Sequence, residues 1–392
     1  MFEFDTHLHV ISMKIYLVGG AVRDKLLGLQ PKDNDWVIVG ANRDDLLKIG
    51  FKPVNGSPEA QNFPVFLHPE TNEEYALARA EKRVSQGHGG FEFDTSSGIT
   101  LLDDLKRRDL TINAMALPFE NDQYGELIDP YNGKTDLENQ TLRHVSPAFV
   151  EDPLRLIRTA RFAACFGYKV APDTMLLMEQ MVCEGKISEL SCERIWKEME
   201  RAMMGTHPAN FFEVLNKCGA DRILFPYLII SGAGIQGLQL AAVYKNSGPV
   251  RFAALMHDLS QGKINHFCKQ FNIPNLYRDL AILVNKNWAL FKRTPELDAK
   301  DLLDFMTQLG AFQNKERFDH CLQVFEACSQ ESPNIEKIKR AYQAAKSINT
   351  KDLAAKYLGH EITRQIRSLR IASIQQSWND VSKDRTYSST FL

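Results

Sequence analysis

The sequence predicts an α+β protein, a small mixed-sheet head domain followed by an all-α neck, body and tail. In the first third, short apolar runs (KIYLVG, DWVIVG, FPVFLHP, EEYALAR) are broken by Gly, Pro and Asn clusters, as in a sheet of short strands. From about Pro147 the apolar residues recur at helical spacing instead, as in LRLIRTARFAACF and RIWKEMERAMM. A length of 392 residues leaves room for several domains. The expected divisions are an extension at 1–12, a head at 13–140, a neck at 141–225 and a body and tail at 226–392.

Composition narrows the class. Net charge is −2, so no global basic field draws in nucleic acid, and any RNA surface has to be a local patch. No apolar run reaches transmembrane length, and MFEFDTHLHVIS at the start lacks a basic segment followed by an apolar core. A cytoplasmic location with no membrane partner is expected. The cysteines (Cys165, Cys183, Cys192, Cys218, Cys268, Cys321, Cys328) are odd in number and form no CxxC pair. They read as buried free thiols, not as a zinc site. His7 and His9 read as incidental.

Taken in order, Ile15 to Val18 is a strand that runs into Gly19 and Gly20, and a helix opens at Ala21 or Val22. A double glycine behind a strand lets backbone amides approach a phosphate, and the helix start adds its positive dipole end. Asp33 and Asp35 sit at the start of the next apolar run, Trp36 to Val39. Spaced i, i+2 on a strand they share a face, where both carboxylates can hold Mg²⁺ over that phosphate. Either half alone is a plain turn or a solvated strand end. Close together, with Arg23 and Asp24 between them, they read as nucleotidyl transfer. No GxxxxGKS or GxxxxGKT occurs, which excludes a P-loop.

GGAVRD followed by DND resembles the signature of the polymerase-beta nucleotidyltransferase superfamily. More narrowly it resembles the class II tRNA nucleotidyltransferases (CCA-adding enzymes) of bacterial type and their poly(A) polymerase relatives. The resemblance runs from about Met13 to Cys218 and gives roles to further residues. Glu74 stands five positions before Arg79, where the family has an acidic residue, and becomes a third catalytic carboxylate beside Asp33 and Asp35. By pattern alone it is a solvent-facing strand residue that cannot be told from Glu73. RRDLTIN matches the segment that binds triphosphate and ribose in the family. It assigns Arg107, Arg108, Asp109 and Asn113 to the nucleotide, together with Gly20 and Arg23. The plain alternative is a basic helix N-terminus capped by Asp109. DPYNGKTDL (Asp129 to Leu137) matches the joint between head and neck, with a hinge-like role; as a bare pattern it is a turn.

Glu151-Asp152-Pro153-Leu154-Arg155 matches the family's EDxxR. Pro153 fits the first turn of a helix that continues through Arg161. Asp152 and Arg155 are then i and i+3 on one face, either as an ion pair or as an edge presented to a base. Cytosine and adenine both place an amino donor beside a ring acceptor. Asp152 accepting and Arg155 donating fit that pattern and mismatch uracil and guanine. Arg158 and Arg161 extend the face toward the nucleotide or are a solvated stripe. Arg194 and Glu198 resemble the family's RxxxE helix and predict an i,i+4 ion pair that braces the neck.

The rest is less specific. Arg79 to Asp104 is polar and Gly-rich and resembles the family's mobile loop that helps the site change from C to A, with His88 in solvent. Pro226 to Pro249, containing SGAGIQG, predicts a loop or weak boundary, and SKDRTYSSTFL a frayed end. His257-Asp258 resembles the HD doublet of metal-dependent phosphohydrolases, but only His266 lies between it and Trp288. So few ligands read as a remnant without hydrolase activity. Arg364, Arg367 and Arg370 repeat every third position, as RNA contacts or as a solvated helix face.

The resemblance therefore implies template-independent addition of C-C-A to tRNA 3′ ends from CTP and ATP, with Mg²⁺ on Asp33 and Asp35 and release of pyrophosphate. The tRNA is expected to be read by shape along the helical body, with no DNA, membrane or protein partner. A poly(A) polymerase, a CC-adding enzyme differing in the 80–103 loop, and a catalytically silent RNA-binding protein are the alternatives. Intact Asp33, Asp35, Asp109, Asp152 and Arg155 argue against the last.

Overall fold

The computed structural model describes residues 13–54, 65–83, 91–94, 96, 98–228, 232–329, 332–350, 357 and 359–388. The extension at 1–12 and His88 lie outside the described residues. The chain divides into two compact units, Met1–Ala202 with Asn210–Leu224, and Met203–Ala209 with Phe225–Leu392.

The first unit is built on a mixed sheet. Its strands are β1 (Lys14–Val18), β2 (Asp35–Val39), β3 (Lys52–Pro53), β4 (Val65–Leu67) and β5 (Glu74–Leu77). A separate antiparallel pair, β6 (Ala80–Arg83) and β7 (Phe91–Asp94), follows, and β8 (Ala116–Glu120) and β9 (Gln123–Tyr124) return to the main sheet. The order across that sheet is β3-β4-β5-β2-β1-β8-β9. β1 runs antiparallel to both neighbours, and β2–β5 is the parallel pair.

Period-two alternation sorts the apolar side chains between two faces. Leu17, Trp36, Ile38 and Tyr75 pack with Ala21 and Val22 of α1 (Gly20–Leu26) and Leu46 of α2 (Arg43–Lys48), and the Trp36 and Tyr75 rings stack at 5.5 Å. Tyr16, Val18, Val37 and Ala116 pack on the other face with Leu105 of α3 (Leu101–Lys106). Asp35, two residues before Val37, therefore falls on the face that α3 covers. This parity puts a carboxylate beside the arginines that end α3.

Several expectations are corrected here. Asp33 is not on the strand: β2 begins at Asp35, and Asp33 lies in the bend before it. Helix α1 opens at Gly20, with Gly19 at φ +69° as its cap. The Arg79–Asp104 segment is not one loop, since it holds β6, β7 and α3, whose start is a Thr100–Asp103 capping box legible as T-x-x-D. RRD accordingly sits at a helix C-terminus, not at an N-terminus. Strand β8 went unforeseen because Pro118 interrupts its apolar run, and proline demotes a strand reading.

The DPYNGKTDL segment is a packed joint. Both Asp129 carboxylate oxygens accept backbone N–H groups of α4 (Gly133–Glu138), from Gly133 at 2.7 Å and Lys134 at 2.9 Å. Buried Asp136 accepts from the Thr111 hydroxyl at 2.7 Å. A Cβ on Gly133 would lie 2.2 Å from the Thr111 carbonyl oxygen, so only glycine allows the approach. Helices α5 (Leu154–Phe166), α6 (Pro172–Cys183), α7 (Cys192–Met203), α8 (Ala209–Lys217) and α9 (Asp221–Leu224) follow.

The second unit is helical: α10 (Ala233–Val243), α11 (Gly248–Met256), α12 (Gln261–Gln270), α13 (Asn275–Lys292), α14 (Ala299–Gln308), α15 (Lys315–Ser329), α16 (Ser332–Lys346) and α17 (His360–Ser388). The Gly-rich stretch expected as a loop or weak boundary holds α10, with Gly234 and Gly237 inside the helix. Gly234 and Gly237 serve close helix packing: a Cβ on Gly234 would meet the Leu255 carbonyl oxygen at 2.3 Å, and one on Gly237 the Cys328 sulfur at 2.7 Å. Glycine marked a helix contact here, where the sequence pattern suggested a break. The expected frayed end continues α17 as far as Ser388.

Arg367 forms a two-pronged ion pair with Asp304, and Arg370 lies 3.7 Å over the Phe312 ring. These two of the three C-terminal arginines therefore serve packing within the unit. Among the cysteines, Cys183 is exposed, contrary to expectation, while Cys218, Cys268 and Cys321 are buried, and burial pushes the Cys321 thiol up to about 12.

The Gly133 joint makes the first prediction. Gly133→Ala should destabilise by about 1–3 kcal/mol or more through overpacking against Thr111. A thermal melt checks this; an unchanged melting temperature would show that the joint can yield.

Candidate active site

An open cleft of about 780 Å³ in the first unit brings together most of the residues singled out from sequence. Gly19, Gly20 and Arg23 come from the β1–α1 turn, Asp33 and Asp35 from the start of β2, and Arg107, Arg108, Asp109 and Asn113 from the segment after α3. The α5 region adds Asp152, Arg155, Arg158 and Arg161. Arg79, Arg194 and Arg201 also line it, so nine arginines face four aspartates. That excess of positive charge, in a chain of net charge −2, is the local anion-binding surface that composition demanded.

Two buried aspartates organise the arginines. Asp104 on α3 is fully buried. Its Oδ1 accepts from Arg107 at 2.7 Å and its Oδ2 from Arg108 at 3.0 Å, so one carboxylate holds both guanidinium groups at the cleft wall. Sequence reasoning missed Asp104 because its role depends on α3 existing: only on a helix do positions 107 and 108 fall at i+3 and i+4 from it. Burial opposes its charge, but the two arginines outweigh that and lower its pKa.

Asp109 is the second centre. It accepts from the Leu110 N–H at 2.8 Å, the Asn113 side-chain amide at 3.0 Å and Arg158 Nε at 2.7 Å. Burial again opposes ionisation, yet Arg158 and these hydrogen bonds hold the carboxyl well below the usual range. Asn113 Oδ1 in turn accepts from Arg23 at 2.6 Å. Arg23, Asn113, Asp109 and Arg158 thus form one relay across the cleft floor, and the Arg23 guanidinium lies 4.7 Å over the Phe166 ring.

Gly19 sits at the crossing of these groups. A Cβ there would stand 2.7 Å from Arg108 Nη1 and 3.6 Å from Asp35 Oδ2, on a backbone at positive φ. The glycine thus leaves room for an arginine and a carboxylate to meet beside the turn. Asp35 is open to solvent at the strand end, yet the protein wall around its carboxylate raises its pKa; Arg108 works against this and the Asp33 charge reinforces it. The Asp33 and Asp35 carboxylates are hard-oxygen donors of the kind suited to Mg²⁺ or a similar ion.

Glu74 opens β5. In register with Asp35 across the parallel pair, it shares that residue's face, and with Asp33 and Asp35 it lines a side pocket of about 570 Å³. It does not line the main cleft. Among the described residues no three His, Cys, Asp or Glu side chains gather closely enough to hold a metal ion. Glu73, which sequence could not separate from it, accepts from the Asn34 side chain at 2.8 Å.

The neck pairs differ from those expected. Asp152 and Arg155 do not pair with one another. Asp152 Oδ1 accepts from the Leu154 N–H at 3.0 Å, and its Oδ2 lies 3.5 Å from Arg194. Buried Arg155 donates to the backbone carbonyls of Ala148 at 2.8 Å and Arg107 at 2.5 Å, which ties α5 to the RRD segment. Arg194 and Glu198 likewise form no pair. Glu198 takes Arg161 at 2.5 Å, and Arg161 also covers the Phe162 ring at 4.0 Å. The i,i+3 and i,i+4 spacings gave neighbours along a helix; packing of α7 on α5 gave each side chain a better partner across it.

In the second unit, His257 is buried, with its ring Nδ1 2.8 Å from the Ala254 carbonyl oxygen and its ring 4.8 Å from that of Trp288. Asp258 points to solvent.

Asp104→Asn should leave the Arg107 and Arg108 guanidinium groups without their shared counter-charge and cost about 3 kcal/mol, read as a lowered melting temperature. Asp109 and Asp104, with lowered pKa values, contribute stability that is complete above the unfolded carboxylate range near pH 4. That stability is lost as pH falls through their folded values. Wild-type melting temperature should therefore fall more steeply below about pH 4 than that of Asp109→Asn; parallel curves would remove Asp109 from this role.

The comparisons agree with the geometry. The "Poly A polymerase head domain" matches residues 15–143, and the "Probable RNA and SrmB- binding site of polymerase A" matches 167–230. A CCA-adding enzyme of Coxiella burnetii is 45% identical over 369 residues, covering 93% of this chain and 96% of that protein. A multifunctional CCA protein of Psychromonas ingrahamii is 40% identical over 411 residues, covering 93% and 98%. The Thermotoga maritima CCA-adding enzyme complexed with tRNA has the same fold at a TM-score of 0.67 and 18% identity, covering 95% of this chain and 92% of that one. A tRNA-processing enzyme with CTP superposes at 0.69 with 21% identity, covering 92% and 97%. With a Gly-Gly turn, paired aspartates and an arginine-walled cleft on a poly(A) polymerase head, and with full-length kinship at this level, the chain belongs to the CCA-adding enzyme family of nucleotidyltransferases.

Proposed function

We propose that the arginine-walled cleft is where this family member adds C-C-A to the 3′ end of tRNA from CTP and ATP, releasing pyrophosphate. The observation that carries the reading is the placement of Asp33 and Asp35 at one edge of a cleft whose wall holds Arg107 and Arg108. A nucleoside triphosphate needs cationic donors along its phosphates and oxygen-ligated metal at the reacting phosphorus. Arg107 and Arg108, fixed by Asp104, hold the triphosphate, and the Gly20 turn brings backbone close to it. Asn113 and Asp109 face the ribose, and Arg23 and Arg158 keep both in place. Arg161 supports the far wall.

Asp33 and Asp35 are the residues that would hold Mg²⁺, which would supply activation of the attacking 3′-hydroxyl and neutralisation of the developing phosphate charge. The chain's own task is to align that hydroxyl with the α-phosphorus and to keep the leaving pyrophosphate against the arginines. Glu74 stands on the same sheet face as Asp35 and adds negative potential at the metal-facing end.

Base choice lies with the α5 start. Asp152 accepts the amino group that cytosine and adenine share, while Arg155 exchanges a backbone carbonyl for the ring nitrogen. Uracil and guanine present a carbonyl and a ring N–H instead and leave buried groups unpaired. Use of tRNA, CTP and ATP as substrates supports a cytoplasmic reaction. No helix among the described residues is long and apolar enough to cross a membrane.

Sequencing the products of a tRNA lacking CCA, incubated with all four nucleotides, tests the reading: C-C-A is expected, and runs of A or a stop at C-C overturn it. Asp33→Asn and Asp35→Asn should each lose transfer by several orders of magnitude while tRNA binding stays within about twofold of wild type. Turnover close to wild type in either would remove the metal assignment.

A further inference from the structure

We infer that Arg194 on α7 is the residue that positions the base-reading carboxylate of Asp152, a specificity role that rests on the reading of Asp152 given above. The two oxygens of Asp152 are treated differently. Oδ1 accepts the Leu154 N–H at 3.0 Å and is fixed by the start of α5. Oδ2 has no hydrogen bond from Arg155, three residues on, whose amino groups donate to the carbonyls of Ala148 and Arg107. It has instead the Arg194 Nη2 at 3.5 Å. That separation is an ion pair longer than a good hydrogen bond. Attraction orients the carboxylate, while Oδ2 keeps acceptor capacity for an amino group entering the cleft.

The packing explains why Arg194 reaches this place. Four residues further along α7, Glu198 is anchored to Arg161 of α5 at 2.5 Å and is also 3.9 Å from Arg201. One helical turn back from that anchor, Arg194 falls at the start of α5, where Asp152 Oδ1 accepts the Leu154 N–H. With Glu198 already engaged, Asp152 is the carboxylate that Arg194 meets. Both partners remain about a quarter exposed and both line the cleft, as a base-facing pair must.

A carboxylate held at one oxygen alone can swing about its last torsion. Held at both, it offers one fixed acceptor direction, and discrimination between an amino group and a carbonyl depends on that direction. Removing Arg194 should therefore loosen selectivity before it affects phosphate handling, since Arg107 and Arg108 are held separately by Asp104.

The test compares Arg194→Gln, Arg194→Lys, Asp152→Asn and the Asp152→Asn/Arg194→Gln double variant in the full-length protein. The measurement is kcat/KM for CTP against UTP on tRNA lacking CCA, with thermal melts alongside. Arg194→Gln should lower the C-over-U ratio about tenfold, the size of one charge-assisted contact. Arg194→Lys should recover most of it, and the double variant should be no less selective than Asp152→Asn alone, because Arg194 acts through Asp152. If Arg194→Gln keeps the wild-type ratio while Asp152→Asn loses it, the base-reading assignment stands and the positioning role of Arg194 falls. If Asp152→Asn itself keeps the ratio, the base-reading assignment falls, and the role of Arg194 with it. A merely structural Arg194 would lower the melting temperature, or slow CTP and UTP alike, with the ratio unchanged.

Discussion

Nine arginines around one cleft repel one another, and the site exists because buried carboxylates are built into its wall to hold them. Two like charges about 4 Å apart at an effective dielectric of about 20 cost on the order of 4 kcal/mol. Asp104 and Asp109 turn that repulsion into attraction, each with its charge kept by guanidinium partners despite burial. The consequence is preorganisation. Arg107, Arg108 and Arg158 are already held by carboxylates, so an anion entering the cleft need not order three long side chains. The arrangement also leaves the cleft with net positive charge, since each aspartate is shared and the arginines outnumber them.

This constraint reaches back into the fold. Asp104 can serve Arg107 and Arg108 only because α3 is a helix that ends between it and them, and α3 stays on its sheet face because Leu105 packs among Tyr16, Val18 and Val37. The same face carries Asp35 at the start of β2. The cleft arginines after α3 and the Asp35 carboxylate are thus joined through one apolar layer. Gly133, pressed on the Thr111 carbonyl, fixes the turn that carries Asn113 from beneath. The neck adds the second constraint: α5 is tied to the RRD segment by Arg155 and to α7 by Arg161, so the two ends of the cleft are linked through hydrogen bonds.

The second unit uses its charged residues differently. The Arg367–Asp304 pair and the stacking of Arg370 on Phe312 consume cations in packing, and His257 is sealed against Trp288. The same residue types that line a reactive cleft in the first unit act here as internal braces. Only the surroundings distinguish the two uses, because a guanidinium can bond to a phosphate, a carboxylate or a carbonyl.

Sequence alone determined the α+β order and the cleft's main inventory, because both depend on local chemistry. Period-two runs became β1, β2, β4 and β5, the double glycine became a strand-to-helix turn, and the DxD and RRD motifs came to one cleft as their resemblance implied. Sequence could not assign partners, since pairing depends on which helix faces which. Asp152 and Arg155, then Arg194 and Glu198, were neighbours by spacing, yet α7 packing on α5 exchanged them for Asp152 with Arg194 and Arg161 with Glu198. Asp104 stayed hidden because its role exists only once α3 has formed. The glycines of α10 read as a break because their use, the close approach of another helix, lies outside their own segment. Local propensity and motif chemistry act within a few residues, whereas the partner of a buried charge is decided by whatever the fold places across from it.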